Sequence, residues 1–328
     1  ARQAYDDSSE WVDANLRGQW EKSLSLFNSN HPPGSKYNTN AYEKRSRFFR
    51  PKTRTAVRNL QSAMNVAFFT NEDVVSIKPR NPNDPVQAAA AIVSQSVVQY
   101  RLTNTIPWFQ TMTAALQDAA VQGIIEMISP ENLRIDPASD WSDPLESSPY
   151  IIHLIPMYLQ DVLQKMESGE WKKLSAGELL TTTSDEDDNT TRLVRDEPRE
   201  DPLDNDAGYG EVQDYKIVWI HKNIIKKDGE DWCYFTAGVS YMLTDPVPLH
   251  EMYPWLRNNE RPYVMGCVNI EAHKLYPSGT VELTQELQAA ANDIWNQRFD
   301  NVKLALNKRY HIRRDRNIDL DALFRSVP

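Results

Sequence analysis

The chain has 328 residues, enough for one large or two ordinary domains with a sizeable core. Its 40% hydrophobic and 10% aromatic content belongs to a folded protein, and only 11 glycines argue against a Gly-rich barrel or nucleotide-binding sheet. The formal charge of −10 is unevenly spread: twelve acids against three arginines lie between Glu178 and Glu211, a net of −9, so the rest is near neutral and a nucleic-acid partner is not excluded.

Two cysteines, Cys233 and Cys267, are too few for a disulfide framework and fit a reducing compartment. No apolar run approaches the roughly 20 residues needed to cross a bilayer, and no signal segment opens the chain. The sequence starts at Ala1 without a methionine and stops at "RSVP" just after a new pattern has begun, so it is expected to be a fragment.

In chain order, residues 1–29 suit a helix, with Ala4, Trp11, Leu16, Trp20, Leu24 and Phe27 near a 3.6 period. "HPPGS" (31–35) ends it. A second helix begins near Pro51, with Ala56, Val57, Leu60, Met64, Ala67 and Phe68 on one side. "VVSIKP" (74–79) reads as a short strand. Asp84, Pro85 and Gln87 mark a helix start, as N-cap, first helical residue and capping-box partner. Another helix spans about Trp108–Gln122, where Phe109, Met112, Leu116 and Ala119 read as ordinary core.

From "MISPENLRIDPASDW" the pattern turns to short strands. "YIIHLIPM" (150–157) is a strand, and "YLQDVLQKMESGEW" a short amphipathic helix. Residues 175–211 show little hydrophobic periodicity and read as a flexible loop. Strands resume in "DYKIVWIHKNIIKKDGEDWCYFTAG", joined by an Asp-Gly hairpin turn. The last clear element is a helix near Thr280–Asn307, about 40 Å long. Leu283, Leu287, Ala291, Ile294, Phe299, Val302 and Leu306 form its apolar stripe. Gln285, Gln288, Asn292, Asn296 and Asp300 occupy other faces, and "YHIRR" beyond alternates like a strand. The fold class is α+β, mainly helical.

Catalytic patterns are scarce. "PPGSK" (32–36) lacks the first glycine and spacing of a phosphate loop, no G-x-S-x-G occurs, and the six histidines show no ligand spacing. "SDEDDNTT" (184–191) has consecutive acids without the alternation and glycine of a calcium loop, so it reads as a solvated loop, with Asp187 and Asp188 as the residues a metal-dependent nuclease would use. No catalytic residue, metal ligand or cofactor site is expected. The chemical feature that remains is the basic end with Lys303, Lys308, Arg309, Arg313 and Arg314. It reads either as a solvated or inter-subunit salt-bridge face, or as a contact for phosphate or an acidic protein. Any DNA contact there would be sequence-independent and salt-sensitive.

The order of parts resembles the portal (head–tail connector) proteins of tailed bacteriophages, particularly the short-tailed type. The resemblance runs from the tryptophan-bearing first helix through "RSRFFRPKTRTAVRNLQSAMNVAFFTNEDVVSIKP", with a basic segment, a helix and a strand, to "DPVQAAAAIVSQSVVQYRL" and "ISPENLRIDPASDW". It ends in "GTVELTQELQAAANDIWNQRFDNVKLALNKRYHIRR", similar to a stem helix entering the clip. It excludes roughly 167–215, and it departs from the family where Gln122-Gly123 runs directly into Ile124. The resemblance implies a wing over 1–279, a stem helix over 280–307 and the start of a clip over 308–328, with no second stem helix or crown before Pro328.

It further implies a non-enzymatic ring, usually of twelve subunits, at one capsid vertex of the virion, assembled in the host cytoplasm. Double-stranded DNA would pass through it in packaging and ejection. The implied partners are the terminase large subunit, the major capsid protein and head-completion or tail adaptor proteins, with no membrane. A closed ring needs a heterologous interface, for which Leu287, Ile294, Phe299 and Val302 are the candidates, with the Gln and Asn faces expected toward water or DNA. Another virion structural protein, such as a capsid-associated or tail-hub component, is the alternative.

Overall fold

The computed structural model describes residues 2–43, 45–70, 74–125, 128–183, 216–256 and 260–306. The tryptophan-bearing N-terminal helix is α1 (Arg2–Val12) and α2 (Gly18–Phe27), joined by a π-helical turn at Asp13–Arg17. Trp20, Leu24 and Phe27 are buried on it, as their spacing requires. After the Pro-Pro-Gly break come α3 (Lys52–Phe69), α4 (Pro85–Tyr100) and α5 (Trp108–Gln122). On α5, Leu116 and Ala119 are fully buried. Phe109 is exposed and rests edge-on against Phe69 at 5.0 Å.

Residues 74–79 form no strand pairing among the described residues, contrary to their alternating pattern. Side chains of α4 satisfy this segment: Gln99 accepts from the Val74 N–H at 3.0 Å and Gln95 from that of Ile77 at 3.2 Å. The predicted capping box is half formed. Asp84 accepts from the Val86 N–H at 2.9 Å, whereas Gln87 accepts from Asn81 at 3.0 Å.

Beyond α5 follow β1 (Ile124–Ile125), β2 (Leu133–Ile135), α6 (Pro144–Ser147), β3 (Tyr150–Tyr158), α7 (Leu159–Glu167) and α8 (Ala176–Thr183). The sheet continues with β4 (Ile217–Lys227), β5 (Glu230–Ala237), β6 (Tyr241–Met242) and β7 (Val247–Pro248). The chain then forms α9 (Leu249–Met252), β8 (Gly266–Cys267) and the long α10 (Thr280–Leu306). Strands run antiparallel in the order β2-β3-β4-β5-β6, with β7 also on β5, and β1 pairs with β8 apart from them. Asp228 and Gly229 both take positive φ (55° and 87°) between β4 and β5, the conformation that makes an Asp-Gly turn fit the strand twist.

The expected loop over 175–211 is corrected at its start. α8 is a helix whose Leu179 is wholly buried with Trp171, Val218 and Ile220. It begins with a reciprocal capping box, in which the Ser175 N–H donates to Glu178 Oε2 (3.0 Å) and the Glu178 N–H to Ser175 Oγ (3.3 Å). The Ser175 hydroxyl, which donates to Glu178 Oε2 at 2.7 Å, and then the Ser175 N–H hold the Glu178 carboxyl below its ordinary pKa. Residues 184–215, with the acidic run and Asp187 and Asp188, lie outside the described residues.

α1 lies over one sheet face, with Tyr5 stacked on His221 at 5.0 Å. The other face carries two apolar clusters, one with α7 and α8 and one with α6 and α9. Between them His153 and Lys222 stand opposite each other on β3 and β4. The Lys222 ammonium sits over the rings of Tyr253 (4.6 Å) and Tyr263 (5.2 Å), and His153 Nδ1 is 3.2 Å from the Tyr263 hydroxyl. Burial, and then the Lys222 charge, push His153 down to about 4. The folded state therefore keeps this ring neutral while the unfolded chain protonates it near 6.5. Stability from this group is complete above pH 6.5, declines as pH falls from 6.5 to about 4, and is constant below. A loss of about 3 kcal/mol across that window is expected in urea denaturation, and His153→Gln should flatten it.

Beside this cluster Arg261 locks α6 to β5. Its guanidinium grips both Asp231 oxygens at 2.8 and 2.9 Å and donates to the carbonyls of Leu145 (2.6 Å) and Ser148 (2.7 Å). The two charged side chains are 1% and 8% exposed.

α10 is anchored by glycine. Gly123 ends α5 at φ 99°, with its N–H on the Ala119 carbonyl. A Cβ there would lie 2.1 Å from the Pro277 carbonyl oxygen, and one on Gly279 would lie 2.5 Å from that of Val121. Backbone thus meets backbone where α5 ends and α10 begins, which a side chain at either position would prevent.

Candidate subunit-assembly surface

α10 is inverted relative to an ordinary surface helix. Gln288, Asn292 and Asn296 are 2–3% exposed, while Leu283, Leu287 and Ile294 are 58–72% exposed. The first set recurs every four residues and forms a row along one face; the second lies on the opposite side. The expected placement of the Gln and Asn faces toward water or DNA is therefore corrected for Gln288, Asn292 and Asn296.

What buries them is the chain's own segment 46–53. Asp300 accepts from the Ser46 N–H (2.9 Å), Asn296 from Phe48 (2.8 Å), Asn292 from Arg50 (3.0 Å) and Gln288 from Thr53 (2.9 Å). The amides also donate: Asn296 Nδ2 to the Phe48 carbonyl at 3.0 Å, and Gln288 Nε2 to the Arg50 carbonyl at 2.6 Å. Lys303 closes the row on Ser46 Oγ at 2.8 Å. The spacings match because four helical residues advance about 6.0 Å and two extended residues about 6.6 Å. Side-chain amides, each both donor and acceptor, here replace a neighbouring strand. α4 repeats the device with Gln87, Gln95 and Gln99 on residues 74–81.

Around this ladder, Asp293 accepts from Lys36 Nζ (2.6 Å) and from the Tyr37 hydroxyl. Burial works to raise the Asp293 pKa, but those hydrogen bonds outweigh it and hold the carboxyl below the usual range. Burial first, and the Asp293 bond second, push Tyr37 up to about 12. The Ser46 N–H keeps Asp300 below its ordinary value.

Among the candidate interface residues, Leu287 is 72%, Ile294 58%, Val302 53% and Phe299 38% exposed. Phe299 contacts Phe48 at 5.0 Å and Trp295 at 5.7 Å. Lys303 belongs to the ladder, whereas Lys308, Arg309, Arg313 and Arg314 lie outside the described residues. α4 adds apolar surface that sequence analysis did not single out. It has no charged residue from Pro85 to Tyr100, and Val86, Ile92, Val93 and Val97 are at least half exposed. Its lack of charge was the available signal.

Chemically reactive groupings are sparse. Among the described residues no cluster of three or more His, Cys, Asp or Glu could hold a metal. A cavity of about 480 Å³ between α5 and β8 is lined by Trp108, Met112, Leu133, Leu145 and Val264, with one phenol, Tyr263. No helix among the described residues is long and apolar enough to cross a membrane.

A family model described as phage SU10 portal protein matches residues 1–125 and 123–328. The chain belongs to the phage SU10 portal protein family. It is thus a portal protein of the phage head, a structural capsid component that acts as an oligomeric ring in contact with capsid and terminase. The two matched pieces of the portal protein overlap at residues 123–125, where α5 ends at Gly123 and β1 begins. Comparison with curated proteins gives no match.

Proposed function

We propose that this portal protein closes into a dodecameric ring at one capsid vertex, with α10 as its stem helix, 1–279 as the wing and 308–328 as the start of the clip. Double-stranded DNA passes through the ring in packaging and ejection. The terminase large subunit docks during packaging, head-completion or tail adaptor proteins replace it, and the wing meets the major capsid protein. The ring is assembled in the host cytoplasm and does no covalent chemistry of its own.

The observation that carries this reading is the inverted helix. With its polar row sealed by segment 46–53, α10 turns Leu283, Leu287 and Ile294 outward, away from the chain's own core. Exposed aliphatic rows of this kind mark protein–protein contacts, and a heterologous ring contact supplies them with a neighbour. Leu287→Glu with Ile294→Glu is expected to abolish rings in negative-stain images while the circular dichroism of the protomer stays unchanged. Intact rings from that double variant would refute α10 as the interface. Arg313→Glu with Arg314→Glu should leave rings intact and weaken terminase docking at least tenfold, measured by co-sedimentation; undiminished docking would refute the arginine collar as the motor contact.

A further inference from the structure

The segment that the amide ladder holds against α10 is itself strongly basic. Between Arg45 and Arg58 stand Arg45, Arg47, Arg50, Lys52, Arg54 and Arg58, without one acidic residue. All six are exposed, and none forms an ion pair with a described residue. Of the acids beside it, Asp293 is engaged by Lys36 and Tyr37, and Asp300 accepts from the Ser46 N–H while its charge also acts on Arg45 without forming an ion pair. In a protein of charge −10 this row of cations, without an ion-pair partner among the described residues, is an exception.

Four of the six cations are also ordered. The Arg50 guanidinium lies 4.2 Å over the Trp295 ring, Arg54 and Arg58 lie 5.6 and 5.9 Å over Phe27, and Arg45 lies 5.2 Å over Tyr42. A guanidinium parked on an aromatic face leaves its N–H edges open to a phosphate in a planar fork, although Arg58 Nη1 also makes a long hydrogen bond to Gln61 Oε1 at 3.5 Å. Arg45 and Arg47 are two extended residues apart, about 6.6 Å. Arg54 and Arg58 are one helical step of four apart, about 6 Å. A polyanion with closely spaced charges suits such a row, and double-stranded DNA carries one charge per about 1.7 Å of axis.

We infer that residues 45–58 form a binding strap for the phosphate backbone of double-stranded DNA, independent of sequence. The inference rests on the portal reading for the presence of DNA, and it moves the principal phosphate contact from the basic end near Arg313 to the strap. The ladder fixes the strap's backbone, so its cations pay less ordering entropy on binding than those of a free tail.

The test is fluorescence anisotropy of the full-length assembled protein with a short mixed-sequence duplex, from about 50 to 200 mM salt. Arg47→Ala with Arg54→Ala and Arg58→Ala should weaken binding and lower the slope of log K against log salt by about 2 to 3, since each lost phosphate contact removes about 0.9. Alanine at Lys308, Arg309, Arg313 and Arg314 should change the slope less. An unchanged slope in the strap variant, or a larger change in the C-terminal one, would overturn the inference. So would displacement of the duplex by polyglutamate at equal charge, which would mark the strap as a seat for an acidic protein. Images of the same samples separate the two claims: wild type without rings defeats the portal-ring reading, whereas rings with a strap-independent slope defeat only the strap.

Discussion

Asn292→Leu combined with Asn296→Leu is expected to cost about 3–6 kcal/mol of folding stability, although both changes place an aliphatic side chain at a buried site. Three backbone groups would lose their partners, the N–H and carbonyl of Phe48 and the N–H of Arg50. These bonds are part-buried, so each group left unsatisfied costs about 1–2 kcal/mol, and leucine offers no hydrogen bond in exchange. Gln288 would also lose the Asn292 oxygen to which it donates at 2.9 Å. Urea denaturation reads the total, and hydrogen exchange at the Phe48 and Arg50 amides locates it. Those two amides should exchange far faster while amides within α5 keep their protection. An unchanged urea midpoint would show that segment 46–53 is held by something other than the ladder.

Arg261→Met should destabilise the sheet-containing half by about 3–5 kcal/mol, the usual cost of leaving one member of a buried ion pair alone. Asp231 would stay buried without its counter-charge, and the carbonyls of Leu145 and Ser148 would lose their shared donor. Removing Asp231 as well should recover part of the loss, because two apolar side chains desolvate at less cost than one stranded carboxylate. The comparison of Arg261→Met with Arg261→Met/Asp231→Leu is therefore diagnostic. If the double variant is less stable than the single one by a further several kcal/mol, the pair acts through packing and not through charge.

Much of the framework could be read from the sequence because it rests on local chemistry. The bounds of α5 coincide with the expected 108–122, and the Asp228-Gly229 turn has the expected conformation. Long-range satisfaction of backbone groups could not be read in the same way. Residues 74–79 alternate like a strand, but their partners are glutamines on a helix, and nothing in a period-2 pattern tells a ladder of carbonyls from a ladder of amides. The buried row on α10 failed for a related reason, since Gln and Asn at four-residue spacing serve equally well on a wet face. One clue was present: Gln288, Asn292 and Asn296 are amides throughout, where solvated faces usually mix in lysine and glutamate. The two capping boxes show the limit of motif spacing. The Asp84–Gln87 spacing does not close, because Gln87 accepts from Asn81; the Ser175–Glu178 spacing, set in a stretch of little hydrophobic periodicity, does. Of the assembly surface, the stripe on α10 is visible as periodicity, whereas the exposure of α4 follows only from its lack of a covering partner among the described residues.

The ladder between α10 and segment 46–53 is built mainly from amides, which neither titrate nor attract counterions. Bonds of that kind are insensitive to ionic strength, whereas contacts between arginines and phosphate weaken steeply as salt rises. The chain therefore separates scaffold from contact: changes in the ionic milieu, such as those that accompany a capsid filling with polyanion, tune the grip of the arginines and leave their mounting untouched.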